Sequence, residues 1–253
     1  MRDARVKDPS YPTVCIVKIG TLTLEPTDLA GSLTIRCKHE LGVGGGSTAT
    51  LIRSDRTILV DTGFDFEDSR DTHYVKWNRQ QLLFALRRNG VAPDQIDGVF
   101  ISHWHKDHFG NLSLFPHAQR FASERLCREL PDEGLVPVAD GGEIATGARM
   151  VLTPGHTDGH ASVIVGCRLG RVAARVAIAG DAIISYGDVL TGRIWSYNAD
   201  FFDRNLAVES VNRLFDLADV IIPGHGVPFS VTPHLRKMWE KTMHTRMTGQ
   251  LQF

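Results

Sequence analysis

Three histidines and one aspartate fall within six residues in the stretch His103-Trp104-His105-Lys106-Asp107-His108. Imidazole nitrogens and a carboxylate crowded this closely need a partner, and a divalent cation is the usual one. The run before them, residues 96–102, reads as a buried strand that ends at Ser102. His103 and His105 are two apart, so an extended chain projects both to one side. Asp107 and His108 follow where the chain turns toward Gly110 and Asn111. This differs from the helical His-Glu-x-x-His arrangement, in which two histidines share one helix face. A cluster at a strand end can serve two neighbouring cations.

Three further segments repeat the pattern of an apolar run, a glycine turn and then a histidine or aspartate. Met150-Val151-Leu152 leads to Gly155, His156 and His160; Val176-Ala177-Ile178 leads to Gly180 and Asp181; Val220-Ile221-Ile222 leads to Gly224 and His225. A lone histidine is more often a core or surface residue than a ligand, but that plain account does not explain four such segments. The pattern puts polar groups on loops along one edge of a buried sheet, where sites usually lie. No cysteine lies in these segments, so a thiolate-selected metal is not expected. A mixed His/Asp set with open positions fits a catalytic rather than a structural site. Asp107 has a second reading as the N-cap of the short helix that follows, and both roles together are expected. Asp61 closes the apolar run 57–60 and needs partners there, unless it is an ordinary turn residue before Gly63. His39, His73, His117, His234 and His244 lie in no motif and read as surface residues.

The segments, with Ile58-Leu59-Val60-Asp61-Thr62-Gly63 ahead of them, resemble the metallo-β-lactamase-fold superfamily across nearly the whole chain. Residues 110–116 and 222–229 are similar to the group of metallo-β-lactamase-domain-containing protein 1. The resemblance implies a four-layer αββα sandwich and a dinuclear metal hydrolase. It implies that His103, His105 and His156 bind one cation, that Asp107, His108 and His225 bind a second, and that Asp181 bridges them. The cations would be zinc, with iron or manganese as alternatives. A hydroxide between them would attack an ester, thioester, lactone or related acyl substrate, with Asp107 as the catalytic residue that orients it and moves a proton. Asp61 would lie behind the ligands and order them, and His160 would lie behind them or line the pocket. Acyl-homoserine lactonases of this fold often carry Asp-Ala-x-Tyr at the bridging aspartate. Here Asp181-Ala182-Ile183 is followed by Ile184, with Tyr186 as the only nearby substitute. A phosphodiesterase or RNA endonuclease of the same fold is the alternative. A non-catalytic metal-binding module would be expected to have lost a ligand, and no ligand position is missing.

The elements that must position these groups are legible in outline. Residues 14–19 and 47–52 are strand-like. A helix over 76–89 places Leu82, Leu83 and Leu86 on one face and stops at Gly90. Residues 42–47 are glycine-rich without the third glycine of a dinucleotide fingerprint; they read as a mobile loop over the site or as a plain turn. Strands follow at 150–153, 161–167 and 171–179, a helix at 202–217, a strand at 220–222 and a last helix at 233–247. Strands then a helix, twice over, predict an α/β chain with two sheets face to face and helices outside, the αββα sandwich. No low-complexity linker divides residues 1–253, so one domain is expected. Between 183 and 202, Tyr186, Arg193, Trp195 and Tyr197 suggest a pocket for an anionic or amphipathic substrate, or else a lid or dimer contact.

The 253 residues are 42% hydrophobic and 23% charged, with a formal net charge of −1. There is no basic field to attract phosphates, so a small-molecule substrate is favoured over nucleic acid. No apolar run reaches membrane-spanning length, and no signal-peptide core follows Met1. The four cysteines are scattered, with Cys15 and Cys167 in apolar runs as expected core thiols. A cytoplasmic chain without required disulfides is the simplest expectation, and a homodimer remains open.

Overall fold

The computed structural model describes residues 11–21, 45–66, 72–196 and 201–247. Two six-stranded mixed sheets pack face to face. The first has the order β1 (Thr13–Lys18), β3 (Ala49–Arg53), β4 (Thr57–Val60), β6 (Gly98–Phe100), β7 (Gln119–Ser123), β8 (Val136–Val138). The second has the order β14 (Phe229–Ser230), β13 (Val220–Pro223), β12 (Val172–Gly180), β11 (Ala161–Leu169), β10 (Ala148–Leu152), β9 (Glu143–Ala145). A small ribbon pairs β2 (Gly45–Gly46) with β5 (Asp65–Phe66). The rest of the predicted glycine-rich loop, 42–44, falls outside the described residues.

Period-two alternation builds the layers. Ile58, Val60 and Phe100 of the first sheet face Met150, Val163, Val165, Val176 and Ile178 of the second in one buried core. The opposite faces carry Leu51, Leu59 and Val99, packed against Leu82 and Leu86 of helix α1 (Thr72–Arg88). On the other side, Ile164, Ala177 and Ile221 pack against Val211, Leu214, Phe215 and Trp239 of the two C-terminal helices. Helix α5 is Arg204–Leu217, capped by Asp203, whose Oδ1 accepts the Leu206 N–H at 2.9 Å, and α6 is Pro233–Met247. The expected αββα order of layers is what the structure has. Among the described residues, no helix is long and apolar enough to cross a membrane.

Several boundaries move for local reasons. The strand expected over 96–102 is only Gly98–Phe100, because the Ser102 N–H turns aside to Asp61 Oδ1 at 2.8 Å. Among the described residues three short α-helices join them: α2 (Lys106–Phe109), α3 (Glu124–Glu129) and α4 (Tyr186–Thr191). The last, α4, was not anticipated, although Ser185 caps it and Gly192 ends it at φ +62°, both ordinary helix punctuation. Cys167 is a core thiol as expected, whereas Cys15 is only half-buried, with its Sγ 3.0 Å from Asn89 Oδ1.

Candidate metal centre

Strands β4 and β6 run parallel, as do β12 and β13. β10 points the same way as β12, because β11 is antiparallel to both. The carboxyl ends of these strands therefore open on one edge in each sheet, the usual crevice of an α/β sheet. Asp61 follows β4, the 103–108 cluster follows β6, His156 and His160 follow β10, Asp181 follows β12 and His225 follows β13. The two edges are stitched together: the Ala161 N–H donates to Ser102 O at 2.9 Å, and the Thr48 N–H to Gly224 O at 2.8 Å. The loop after β4 grips helix α2, where His108 O accepts the Thr62 N–H at 2.7 Å and Asp107 O accepts the Phe64 N–H at 2.8 Å. Asp107 is thus pinned inside the first turn of α2. The N-cap position is His105, so the expected capping role of Asp107 is not present: the helix begins two residues too early for it.

All seven predicted ligands converge in two adjoining groups. His103, His105, His156 and Asp181 form the first; Asp107, His108 and His225 form the second. In the first, His103 Nε2 lies 2.8 Å and His156 Nε2 2.9 Å from His105 Nδ1. In the second, His108 Nε2 is 3.5 Å and His225 Nε2 3.4 Å from Asp107 Oδ2. Asp181 divides its oxygens between the groups. Oδ2 is 3.4 Å from His156 Nε2, while Oδ1 is 3.2 Å from His108 Nε2 and 3.4 Å from His225 Nε2. Donors about 2.0–2.1 Å from a tetrahedral zinc stand roughly 3.3 Å from one another, so the second group already has the spacing a cation needs. His108 Nε2 and Asp181 Oδ1 are both buried, and in spite of their closeness neither makes a hydrogen bond among the described residues. Buried polar atoms in that condition are costly, and a cation would satisfy them. The donor set fits such a group.

A model of the family described as "Metallo-beta-lactamase superfamily" matches residues 42–225. The chain is 38% identical to a Xenopus laevis protein named metallo-beta-lactamase domain-containing protein 1, over 74% of this chain and 73% of that one. It is 33% identical to the Homo sapiens protein of that name, over 84% and 74%. The chain belongs to the metallo-beta-lactamase superfamily. Solved structures share its fold. A Thermotoga maritima putative metallo-beta-lactamase superposes with a TM-score of 0.59 at 19% identity, covering 87% of this chain and 99% of its own. An N-acyl homoserine lactone hydrolase, solved with product bound at its catalytic metal centre, gives 0.58 at 17%, covering 85% and 93%. As a superfamily member the chain is a metal-dependent hydrolase.

Electrostatics around the two groups differ. Burial and the neighbouring imidazoles of His108 and His105 push His103 well below the usual histidine range, and burial with His105 does the same to His156. Their lone pairs are therefore available at neutral pH. Burial also lowers His108, yet the carboxylates of Asp107, Asp181 and Asp61 outweigh it and hold that ring well above the usual value. His225 is raised in the same way by Asp181 and Asp107. The second group is thus a place where positive charge is favoured.

Asp61 and His160, the two residues expected behind the ligands, sit beside the donor groups. Asp61 Oδ2 accepts from His108 Nδ1 at 2.7 Å. His160 is fully buried, and burial pushes it down to about 3, so it is neutral. Its Nε2 accepts the Ala182 N–H at 3.2 Å, which leaves the proton on Nδ1, donated to Thr153 Oγ1 at 2.9 Å. Thr153 then reaches Ser162 Oγ at 2.8 Å, and Ser162 donates to Ala179 O at 2.8 Å. This relay holds the backbone on both sides of Asp181. Thr153 and Ser162 were not singled out from sequence, because an isolated hydroxyl in a strand carries no motif.

The predicted substrate residues are only partly gathered. Arg193 and Trp195 line a pocket that reaches His156 and Asp181, but its free space is about 20 Å³, room for one water. Trp195 is buried beneath the Arg193 guanidinium, 5.6 Å from its ring centre, and Arg193 Nε pairs with Asp188 Oδ1. Tyr186 is exposed and stacks on Phe229 at 4.9 Å instead of lining that pocket. Tyr197 lies outside the described residues.

Proposed function

We propose that the chain is a dinuclear hydrolase that cleaves an ester, thioester, lactone or related small acyl substrate. The observation that carries this reading is the division of Asp181: one carboxylate oxygen faces each donor group. His103, His105 and His156 would hold one divalent cation and Asp107, His108 and His225 the other, with Asp181 between them. Nitrogen and oxygen donors without thiolate suit zinc first, with iron or manganese as alternatives. Bound there, the cations would supply Lewis acidity and bring the pKa of water toward neutrality. Asp107 is half-buried, at the open side of the second group, and is the residue that orients water and passes on its proton. His160 and its hydroxyl relay keep the Asp181 loop in place.

Among solved relatives of the fold, a lactone hydrolase carries its product at the metal centre. Acyl lactones therefore head the substrate panel, followed by thioesters, β-lactams, phosphodiesters and short RNA. The test begins with metal analysis of protein purified without chelator. Close to two equivalents per chain are expected, falling in Asp181→Ala along with turnover. One equivalent or fewer, or an Asp181→Ala variant that keeps most of its activity, would sink the reading. No turnover on any panel member with zinc, manganese or iron would favour a non-catalytic metal-binding module.

A further inference from the structure

Ser102 is a fully enclosed hydroxyl beside both donor groups, and the ligand assignment gives it no task. We propose that Ser102 is a positioning residue which, together with Asp61, locks one imidazole in each cation site and so couples the two sites. The proposal rests on the two-cation reading above.

Proton counting leads to it. Asp61 Oδ1 accepts the Ser102 N–H at 2.8 Å, and Oδ2 accepts the Ser102 hydroxyl at 2.8 Å. A carboxylate only accepts, and a serine hydroxyl has one proton, so Ser102 has given its proton to Asp61. The Ser102 oxygen also lies 3.0 Å from His103 Nδ1. It can only accept there, so His103 carries its proton on Nδ1. His108 Nδ1 likewise donates to Asp61 Oδ2 at 2.7 Å, with the Ser102 oxygen as a weaker second acceptor at 3.2 Å. His103 then presents a bare Nε2, and on His108 the Nε2 is the nitrogen whose proton a cation would displace. His103 Nε2 points into the first group and His108 Nε2 into the second. One serine and one carboxylate fix two tautomers, one per site, which is how groups behind metal ligands set affinity.

The backbone bears the mark of the arrangement. Asp61 has φ +56°, the only positive φ at a non-glycine position among the described residues. Side chains seldom adopt that conformation, and strain of this kind collects where a site requires it. It brings both Asp61 oxygens onto Ser102.

Removing the Ser102 hydroxyl takes away the hydrogen-bond partner of His103 Nδ1 but leaves His108 on Asp61. The two sites should therefore respond unequally. Zinc affinity is measured by competition with a chromogenic chelator in single-site backgrounds, His225→Ala to retain the first site and His105→Ala to retain the second. Ser102→Ala is expected to weaken the first site about 10- to 100-fold and the second less than about threefold. Ser102→Thr should restore the first, and Asp61→Asn should weaken both. Imidazole nitrogen NMR of the metal-free wild-type chain gives a check that needs no variant: His103 should be the Nδ1–H tautomer. Unchanged first-site affinity in Ser102→Ala, an equal loss at both sites, or an Nε2–H His103 would each overturn the proposal. A wild-type chain that binds a single cation would instead overturn the two-cation reading, before any Ser102 variant is made, and the proposal with it.

Discussion

Gly224 has no side chain because Asp181 stands where one would be: a Cβ built there would overlap Asp181 Oδ1. Its φ is not in the left-handed region, so space alone enforces the glycine. Gly224→Ala should therefore push the Asp181 carboxylate off its position between the donor groups. The expected result is loss of at least one equivalent of metal and about a 100-fold drop in turnover, in line with a disturbed metal centre. The same Cβ would also crowd the Gly180 backbone, 2.9 Å from its carbonyl carbon, so the chelated protein should unfold at a somewhat lower temperature; retention of the full metal complement alongside that drop would mean that Gly224 serves the fold and not the site. The seven donors were legible in sequence because each sits in a dense motif, and the structure gathers all seven. Ser102, Thr153 and Ser162 were not, since a hydroxyl acquires a role only when its neighbours in space are known. The capping role read for Asp107 failed because a helix start can shift by two residues without any change in composition.

At the scale of elements, alternation and apolar runs located the strands that carry the site and the three long helices, α1, α5 and α6. They did not locate β7, β8 or β9, whose sequences Gln-Arg-Phe-Ala-Ser, Val-Pro-Val and Glu-Ile-Ala lack the unbroken apolar run that marked β4 and β13. Nor did they show how α5 is fastened to the edge of the second sheet. Arg213 on α5 meets both Asp140 oxygens, Nη2 lying 3.0 and 2.8 Å away, and Asp140 Oδ1 also accepts the Leu152 N–H at 2.8 Å. Burial pushes the Asp140 carboxyl up, but the Arg213 guanidinium and that N–H together hold it below its ordinary value of 3.8. A carboxylate lowered on folding contributes stability above its unfolded pKa, and the contribution is lost as pH falls through the folded one. The pair is partly solvated, so the effect is small. Asp140→Asn should cost about 0.5 kcal/mol at pH 7 by denaturant unfolding, and the gap should close as pH falls below 3.8. A gap that persists in acid would assign the cost to the lost Leu152 contact instead.

At the scale of the whole molecule, donors separated by more than a hundred residues come from both sheets, and their loops close one edge of the sandwich. Composition and net charge carried no trace of this; only the order of motifs did. Cations held there would tie the two sheets together, so binding should appear as global stability. At a free concentration 100 times Kd, one site contributes about 2.7 kcal/mol, or roughly 5–10 °C in unfolding temperature for a chain of this size. Chelation should lower the midpoint by at least that much, and zinc should restore it. The pH dependence has a definite sign. In the metal-free chain His108 and His225 are raised by the surrounding carboxylates, so the stability they lend is complete below the unfolded histidine pKa and is lost as pH rises through their folded values. A cation must displace those protons, so its affinity climbs over the same range. The interval between loaded and stripped midpoints should therefore widen from pH 5.5 to 8.5. A constant interval would mean that the cation binds without displacing protons from His108 and His225, which is incompatible with either ring being a ligand.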